Sequence, residues 1–289
     1  MKAVVLGASG QVGYELIKRG KDRPHQLIGL THQDIDISDP AAIKKMMLSH
    51  SPDAVINAAA YTAVDQAEQE RDTAFKINAE AAGFLAEVCA ATGCPLIHIS
   101  TDYVFDGRQD QPYRENDQVN PLNVYGASKE DGEARIRTKL DQHIILRTSW
   151  VFSARRQNFV KTILRLLQAG KPLSVINDQI GCPTAAREIA GAILDILESL
   201  EANPKYGTYH YCGDIAVSWY QFALKIAEVA GVDNPGIKAV TTEQYGQPIL
   251  RPLNSILDCR LILNDYGIRQ PDWQKNLAGV IAQLIKEEQ

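Results

Sequence analysis

The sequence predicts an α/β protein in which a doubly wound parallel sheet is followed by a smaller C-terminal α/β unit. Three observations carry this. Short apolar runs alternate with helix-period segments through the first 150 residues, the pattern that βαβ units leave in a chain. A glycine-rich turn, Gly7-Ala-Ser-Gly10-Gln-Val-Gly13, directly follows the first apolar run. Beyond Trp150 the alternation loosens, and helical stretches are interrupted by loops rich in Gly, Pro and Asn.

Taken in order, the strands are expected at residues 2–6, 26–30, 54–58, 96–100 and 144–148. The first ends at the glycine turn, and a helix opens from Val12. Pro40 fits the first turn of a second helix opened by Ser38 or Asp39. The third strand closes on the small residues Asn57-Ala-Ala-Ala60, which leave room for a flat ligand. One helix is expected over 73–91, and another over 122–139. Between them the fourth strand ends in two hydroxyls, Ser100 and Thr101. Later helices are expected near 158–169, 185–200, 218–230 and 274–286. The chain contains no internal repeat.

A chain of 289 residues with a formal charge of −5 can bury a large core and has no basic stretch of the kind that follows a phosphate backbone. Nucleic acid is not expected as a partner. The N-terminus enters the glycine turn without a signal-peptide apolar region, and no run approaches the roughly 20 apolar residues of a membrane span. A cytoplasmic location is the resulting expectation, with no membrane partner. The five cysteines are an odd, scattered set without a C-x-x-C pair, so they read as reduced, mostly buried thiols. Cys182, between Gly181 and Pro183, is the one that could approach a ligand, although a free cysteine usually packs.

Two motifs carry chemistry. A glycine turn after a strand lets a pyrophosphate approach the positive end of the next helix, and Gly7, Gly10 and Gly13 supply it in G-x-x-G-x-x-G spacing. The second strand runs into Thr31 and His32 without a carboxylate at that point, so a 2′-phosphate is not repelled and both NADPH and NADH stay open. Asp36-Ile37 could meet the adenine, or Asp36 could serve as a turn or capping residue. Farther along, Tyr125-Gly-Ala-Ser-Lys129 places a phenol and an ammonium on one helix face. A cation there would favour the phenolate. Because side chains alternate along a strand, only one of Ser100 and Thr101 is expected to face a substrate.

Together, Gly7–Gly13, Ser100-Thr-Asp-Tyr-Val-Phe105 and Tyr125-x-x-x-Lys129 resemble the extended short-chain dehydrogenases/reductases, with a Rossmann-type sheet. Asn57-Ala-Ala-Ala-Tyr-Thr-Ala-Val-Asp65, Arg147-Thr-Ser-Trp-Val-Phe152, Ile176-Asn-Asp-Gln-Ile-Gly-Cys-Pro-Thr184, Arg251-Pro-Leu-Asn-Ser255 and Pro271-Asp-Trp273 narrow the resemblance to the dTDP-4-dehydrorhamnose reductase family across nearly the whole chain. The resemblance implies NAD(P)H-dependent reduction of the 4-keto group of dTDP-4-dehydro-L-rhamnose to dTDP-L-rhamnose. It implies that residues 1–150 bind the dinucleotide, with a strand and helix returning from about 185–215, while 151–289 mainly hold the substrate.

By the same resemblance Tyr125 donates the proton, Lys129 is its partner, Thr101 polarises the keto oxygen, and Asp102 lies near the sugar. Gly7, Gly10, Gln11, Val12, Gly13, Thr31, Asp36, Ile37, Ala60, Tyr61, Thr62 and Ile99 line the cofactor, and Trp150 contacts the nucleotide sugar. Some family members form homodimers around magnesium held by acidic side chains. Glu15 and Glu188 match two such positions, the third falls on Gln283, and Glu287 and Glu288 are close by. A nucleotide-sugar dehydratase would need an Asp-Glu pair after the threonine, where this chain has Asp102-Tyr103. Reduction of another nucleotide-linked 4-keto sugar, and a non-catalytic regulatory subunit, remain alternatives.

Overall fold

The computed structural model describes residues 1–288 apart from Lys171 and Asn234. Its first half contains β1 (Lys2–Leu6), α1 (Gln11–Gly20), β2 (Gln26–Leu30), α2 (Pro40–His50), β3 (Ala54–Asn57), α3 (Val64–Ala67), α4 (Arg71–Phe75), a π-helical turn (Lys76–Glu80), α5 (Ala81–Thr92), β4 (Leu96–Thr101), α6 (Val124–Lys139) and β5 (His143–Thr148). Then follow β6 (Val151–Phe152), α7 (Phe159–Gln168), β7 (Leu173–Ile176), β8 (Ile180–Gly181), β9 (Thr184–Ala185), α8 (Ala186–Ser199) and β10 (Gly207–His210). The remainder is β11 (Val217–Ser218), α9 (Trp219–Val229), β12 (Ile237–Val240), α10 (Thr242–Tyr245), α11 (Arg260–Tyr266) and α12 (Trp273–Glu288).

Six parallel strands form the main sheet in the order β2-β1-β3-β4-β5-β10. Strand order reverses between β1 and β3, and such a switch point opens a crevice at the carboxyl ends of the strands. β3 and β5 are almost continuous apolar runs because helices cover both faces of the sheet. On one face Val12 and Leu16 of α1 pack with Ile189 and Ile193 of α8. On the other, Ile43 of α2, Leu85 of α5 and Ile136 of α6 cover Val4, Val55 and Ile145. A third core joins Phe152, Val160, Phe222, Ile226, Trp273 and Leu277, and beside it β7 pairs with β12.

The sequence differs from this picture in two places. β3 ends at Asn57, where the side-chain oxygen turns back to accept from Ala59 N at 3.1 Å. The helix expected over 73–91 starts at Arg71 and contains the π-helical turn. The reason lies in Asn78, a buried polar residue whose amide must meet partners outside the helix.

Candidate active site

A cleft of about 920 Å³ runs along the carboxyl ends of β1 to β5. Of the residues expected there, it is lined by Gly7, Gly10, Gln11, Val12, Thr31, Asp36, Ile37, Ala60, Thr62, Ile99, Thr101, Asp102, Tyr125, Lys129 and Trp150. Gly13 lies just beneath. A Cβ there would sit 2.2 Å from the Gly7 carbonyl oxygen, while Gly7 itself has φ +76° and would push a side chain to 2.7 Å from the Ala58 carbonyl. Backbone therefore packs on backbone throughout the turn, which only glycine permits.

Residues 153–158 wrap this turn, and nothing in the sequence pattern marks them. Gln11 Oε1 accepts from Ser153 Oγ at 2.8 Å and Asn158 Nδ2 at 3.0 Å. Arg156 lines the cleft and donates through Nε to Ser9 O at 2.9 Å, placing a guanidinium beside the turn that faces a pyrophosphate in this fold.

At the end of β2, Thr31 and His32 line the cleft while Asp34 does not; Asp34 Oδ2 accepts from Thr31 N at 2.8 Å and Thr31 Oγ1 at 2.7 Å. These two bonds hold the Asp34 carboxyl below its usual range. Asp36 lines the cleft and is also a turn residue, its Oδ1 accepting from Ser38 N and Oγ at 2.9 and 2.7 Å. Tyr61 stands apart from the cleft lining. It packs with Ala67, Ala74 and Val124, and its hydroxyl donates to Glu70 at 2.9 Å.

The reactive end is built by β4 and α6. Ser100 Oγ donates to Glu133, which also receives Arg147 through Nε and Nη2. Thr101 is therefore the hydroxyl left to the cleft, donating to Asp102 Oδ1 at 3.0 Å. Burial pushes the Asp102 carboxyl up to about 7, with Ser255 and Thr101 hydrogen bonds opposing it. Burial pushes the Tyr125 phenol up to about 12 against a hydrogen bond with Thr101, and Asp102 adds to the rise. The sequence reading had a cation lowering Tyr125. In the fold desolvation dominates, the opposing influence comes from the Thr101 hydrogen bond rather than from Lys129, and Tyr125 keeps its proton at neutral pH.

Lys129 is 1% exposed, donates to Ile99 O at 2.7 Å and contacts His98 Nε2 at 3.0 Å. His98 Nδ1 in turn meets Asn57 Nδ2 at 3.0 Å. Asn57 Oδ1 is taken by Ala59 N, so its amide nitrogen must be the donor to His98. A neutral imidazole then carries its proton on Nε2, facing Lys129 Nζ, an arrangement that suits an amine better than an ammonium. Burial acts in the same direction and lowers Lys129 to about 8, with Glu133 opposing. Burial first and the Lys129 charge second hold His98 well below its ordinary value, so it is neutral.

The helix carrying this pair is anchored by Asn78 through Ser128. Asn78 Nδ2 donates to Ser128 Oγ at 2.9 Å, and Ser128 Oγ donates to Tyr125 O at 2.8 Å. Trp150, with φ 48°, stacks on Trp219 with ring centroids 3.5 Å apart, and both line the cleft. Cys182 packs in the main core away from the cleft.

Among the described residues of this one chain, the acidic positions matched to magnesium do not assemble a metal site. Glu15 faces a separate pocket lined also by Lys18, Arg19, Arg187 and Gln283, and Glu188 pairs with Arg187 at 3.3 Å. Among the described residues no group of three or more His, Cys, Asp or Glu could hold a metal. The Glu287 and Glu288 side chains lie outside the described residues. Magnesium prefers carboxylate and water oxygens, and this cation-rich lining does not fit it.

A glycine turn at the switch point, a Tyr-x-x-x-Lys pair and a strand-end threonine in one cleft define a short-chain dehydrogenase/reductase. Comparison with known proteins narrows this. The family model described as "RmlD substrate binding domain" matches residues 1–286. A dTDP-4-dehydrorhamnose reductase of Aggregatibacter actinomycetemcomitans is 39% identical, over 97% of this chain and 98% of that protein. The structure of a dTDP-4-dehydrorhamnose reductase from Clostridium acetobutylicum superposes with a TM-score of 0.92 at 35% identity, covering 99% of this chain and all 100% of that one. One from Bacillus anthracis, solved in complex with NADP, gives 0.90 at 34% identity, over 98% of this chain and 99% of that one. The chain belongs to the dTDP-4-dehydrorhamnose reductase family.

Proposed function

We propose that this protein reduces the 4-keto group of dTDP-4-dehydro-L-rhamnose to give dTDP-L-rhamnose, the last step in forming that activated sugar. The observation that carries the reading is the meeting of Thr101, Tyr125 and Lys129 with the glycine turn in one cleft. The residues fit a nicotinamide dinucleotide: the turn at Gly7–Gly13 and Arg156 would hold the pyrophosphate, and Lys129 the ribose next to the nicotinamide. When bound, the reduced nicotinamide supplies the hydride.

The chain's own residues do the rest. Thr101, on turning its hydroxyl from Asp102 Oδ1 to the keto oxygen, meets the negative charge that builds there. Tyr125, neutral because burial pushes it up to about 12, gives its proton to that oxygen as the alcohol forms. General acid assistance of this kind is worth roughly 10²–10⁴ in rate. NADPH and NADH both fit this reading, since His32 lines the cleft at the end of β2 and Asp34 does not.

Residues 1–150, with α8 and β10 packed back onto them, form the cofactor half in this reading, and most of 151–289 holds the nucleotide sugar, with the Trp150–Trp219 stack at the boundary. Both substrates are metabolites of the cytoplasm, which is where the reaction is placed. In this reading a homodimer would not depend on a magnesium cluster. The test is NADPH and NADH oxidation by purified protein with freshly generated dTDP-4-dehydro-L-rhamnose, followed by identification of the sugar. Formation of dTDP-L-rhamnose is expected. Cofactor binding without oxidation would turn the reading toward another keto sugar or a regulatory subunit.

A further inference from the structure

On the cleft wall the buried Thr148 Oγ1 has no hydrogen-bond partner. Thr148 is 4% exposed. A buried hydroxyl without a partner is costly, and such a group in a native fold calls for an explanation. Valine would fill the space of Thr148 without that cost, so a threonine makes sense where a ligand completes it. Thr148 is the register partner of Thr101 across β4 and β5, and paired residues of neighbouring strands project to the same face. The orphaned hydroxyl therefore lies on the side of the sheet where Thr101 meets the keto oxygen.

Strand order tells which ligand is near. The glycine turn follows β1, the strand at the switch point, and Lys129 is bonded to Ile99 on β4. β5 lies one strand farther out, beyond the nicotinamide end and on the side of the sugar. Building on the reading above, we infer that Thr148 Oγ1 holds a hydroxyl group of the sugar ring, which makes Thr148 a specificity-determining residue. The Thr148 hydroxyl can serve that group as donor or acceptor.

The test is Thr148→Val beside Thr148→Ser, read as the KM and kcat for the keto sugar and the Kd for NADPH. With wild-type turnover established, Thr148→Val should lower kcat/KM for the sugar about 5- to 10-fold, the size of one lost hydrogen bond. The NADPH Kd should stay within about twofold on the same grounds, and Thr148→Ser should restore most of the loss. As a second measurement, dTDP-L-rhamnose and its 2-deoxy and 3-deoxy forms are compared as competitive inhibitors of the wild type. One deoxy form should bind several-fold more weakly, and in Thr148→Val that gap should shrink. Unchanged sugar kinetics in Thr148→Val, a loss confined to NADPH affinity, or deoxy analogues that bind as tightly as the parent would each overturn the inference. Failure of the wild type to reduce the keto sugar would instead count against the underlying activity, since the inhibitor comparison reads binding alone.

Discussion

Lys129 is a buried cation whose neighbours favour its neutral form, and this sets how the site responds to pH. Held near 8 by burial, it is charged below that value and loses its proton as the pH rises through it. Affinity for NADPH should therefore be flat below about pH 8 and fall toward tenfold per unit above it, measured by fluorescence titration. Lys129→Met should flatten that dependence, and an unchanged slope in the variant would assign the titration to another group. Tyr125→Phe should abolish turnover while leaving NADPH bound, because it removes the only phenol in the described cleft that sits against Thr101. Tyr125, Lys129 and Thr101 were legible in the sequence because their spacing has a chemical meaning. His98 was not, since its role depends on Asn57 and Lys129 arriving from two other elements. Its signal was present all the same: a histidine in the middle of the apolar run Leu96-Ile-His-Ile99 is a polar group that must find partners.

At the scale of elements, α6 was placed by its Tyr-x-x-x-Lys spacing rather than by an apolar face. Its buried residues include Ser128, Lys129 and Glu133 as well as Ile136, so no apolar stripe marks its inner face. The helix comes so close to the turn after β4 that a Cβ on Gly126 would lie 2.2 Å from Tyr103 O. Gly126→Ala should shift α6 and cost at least tenfold in kcat, since small displacements of reacting groups carry large penalties, with a lower melting temperature. Glu133 anchors the same helix to β5. Burial alone would raise its carboxyl, but the charge and hydrogen bonds of Arg147, with Ser100 and Arg137, hold it down to about 2. A depressed carboxyl stabilises the fold above its unfolded value of about 4.5, and that contribution is lost as the pH falls toward 2. Glu133→Gln should destabilise by about 3–5 kcal/mol at pH 7, because Arg147 is left buried and uncompensated. The difference from wild type in urea unfolding should narrow below pH 4.5. A variant as stable as wild type at neutral pH would refute the anchoring role.

For the whole molecule, the parallel sheet was legible because strands covered on both faces read as continuous apolar runs. The late part of the chain was harder: β10 is four residues long and pairs with β5 from far along the sequence, and the two-residue strands β6, β8, β9 and β11 have no periodicity to read. The wrapping of the glycine turn by residues 153–158 is tertiary and left no local mark. The cation-rich pocket at Glu15 predicts that adding magnesium or a chelator leaves both the sedimentation coefficient and the turnover unchanged, and a chelator-dependent loss of either would show that a metal does bind. The central claim is that the cleft delivers a hydride to the sugar carbonyl while Tyr125 supplies the proton. Turnover of dTDP-4-dehydro-L-rhamnose with NADPH deuterated at the transferable position of the nicotinamide tests it most directly. Deuterium at C4 of the product sugar with wild type, and no labelled product with Tyr125→Phe, is the predicted result. Product without deuterium at C4, or label transferred equally by the phenylalanine variant, would contradict it.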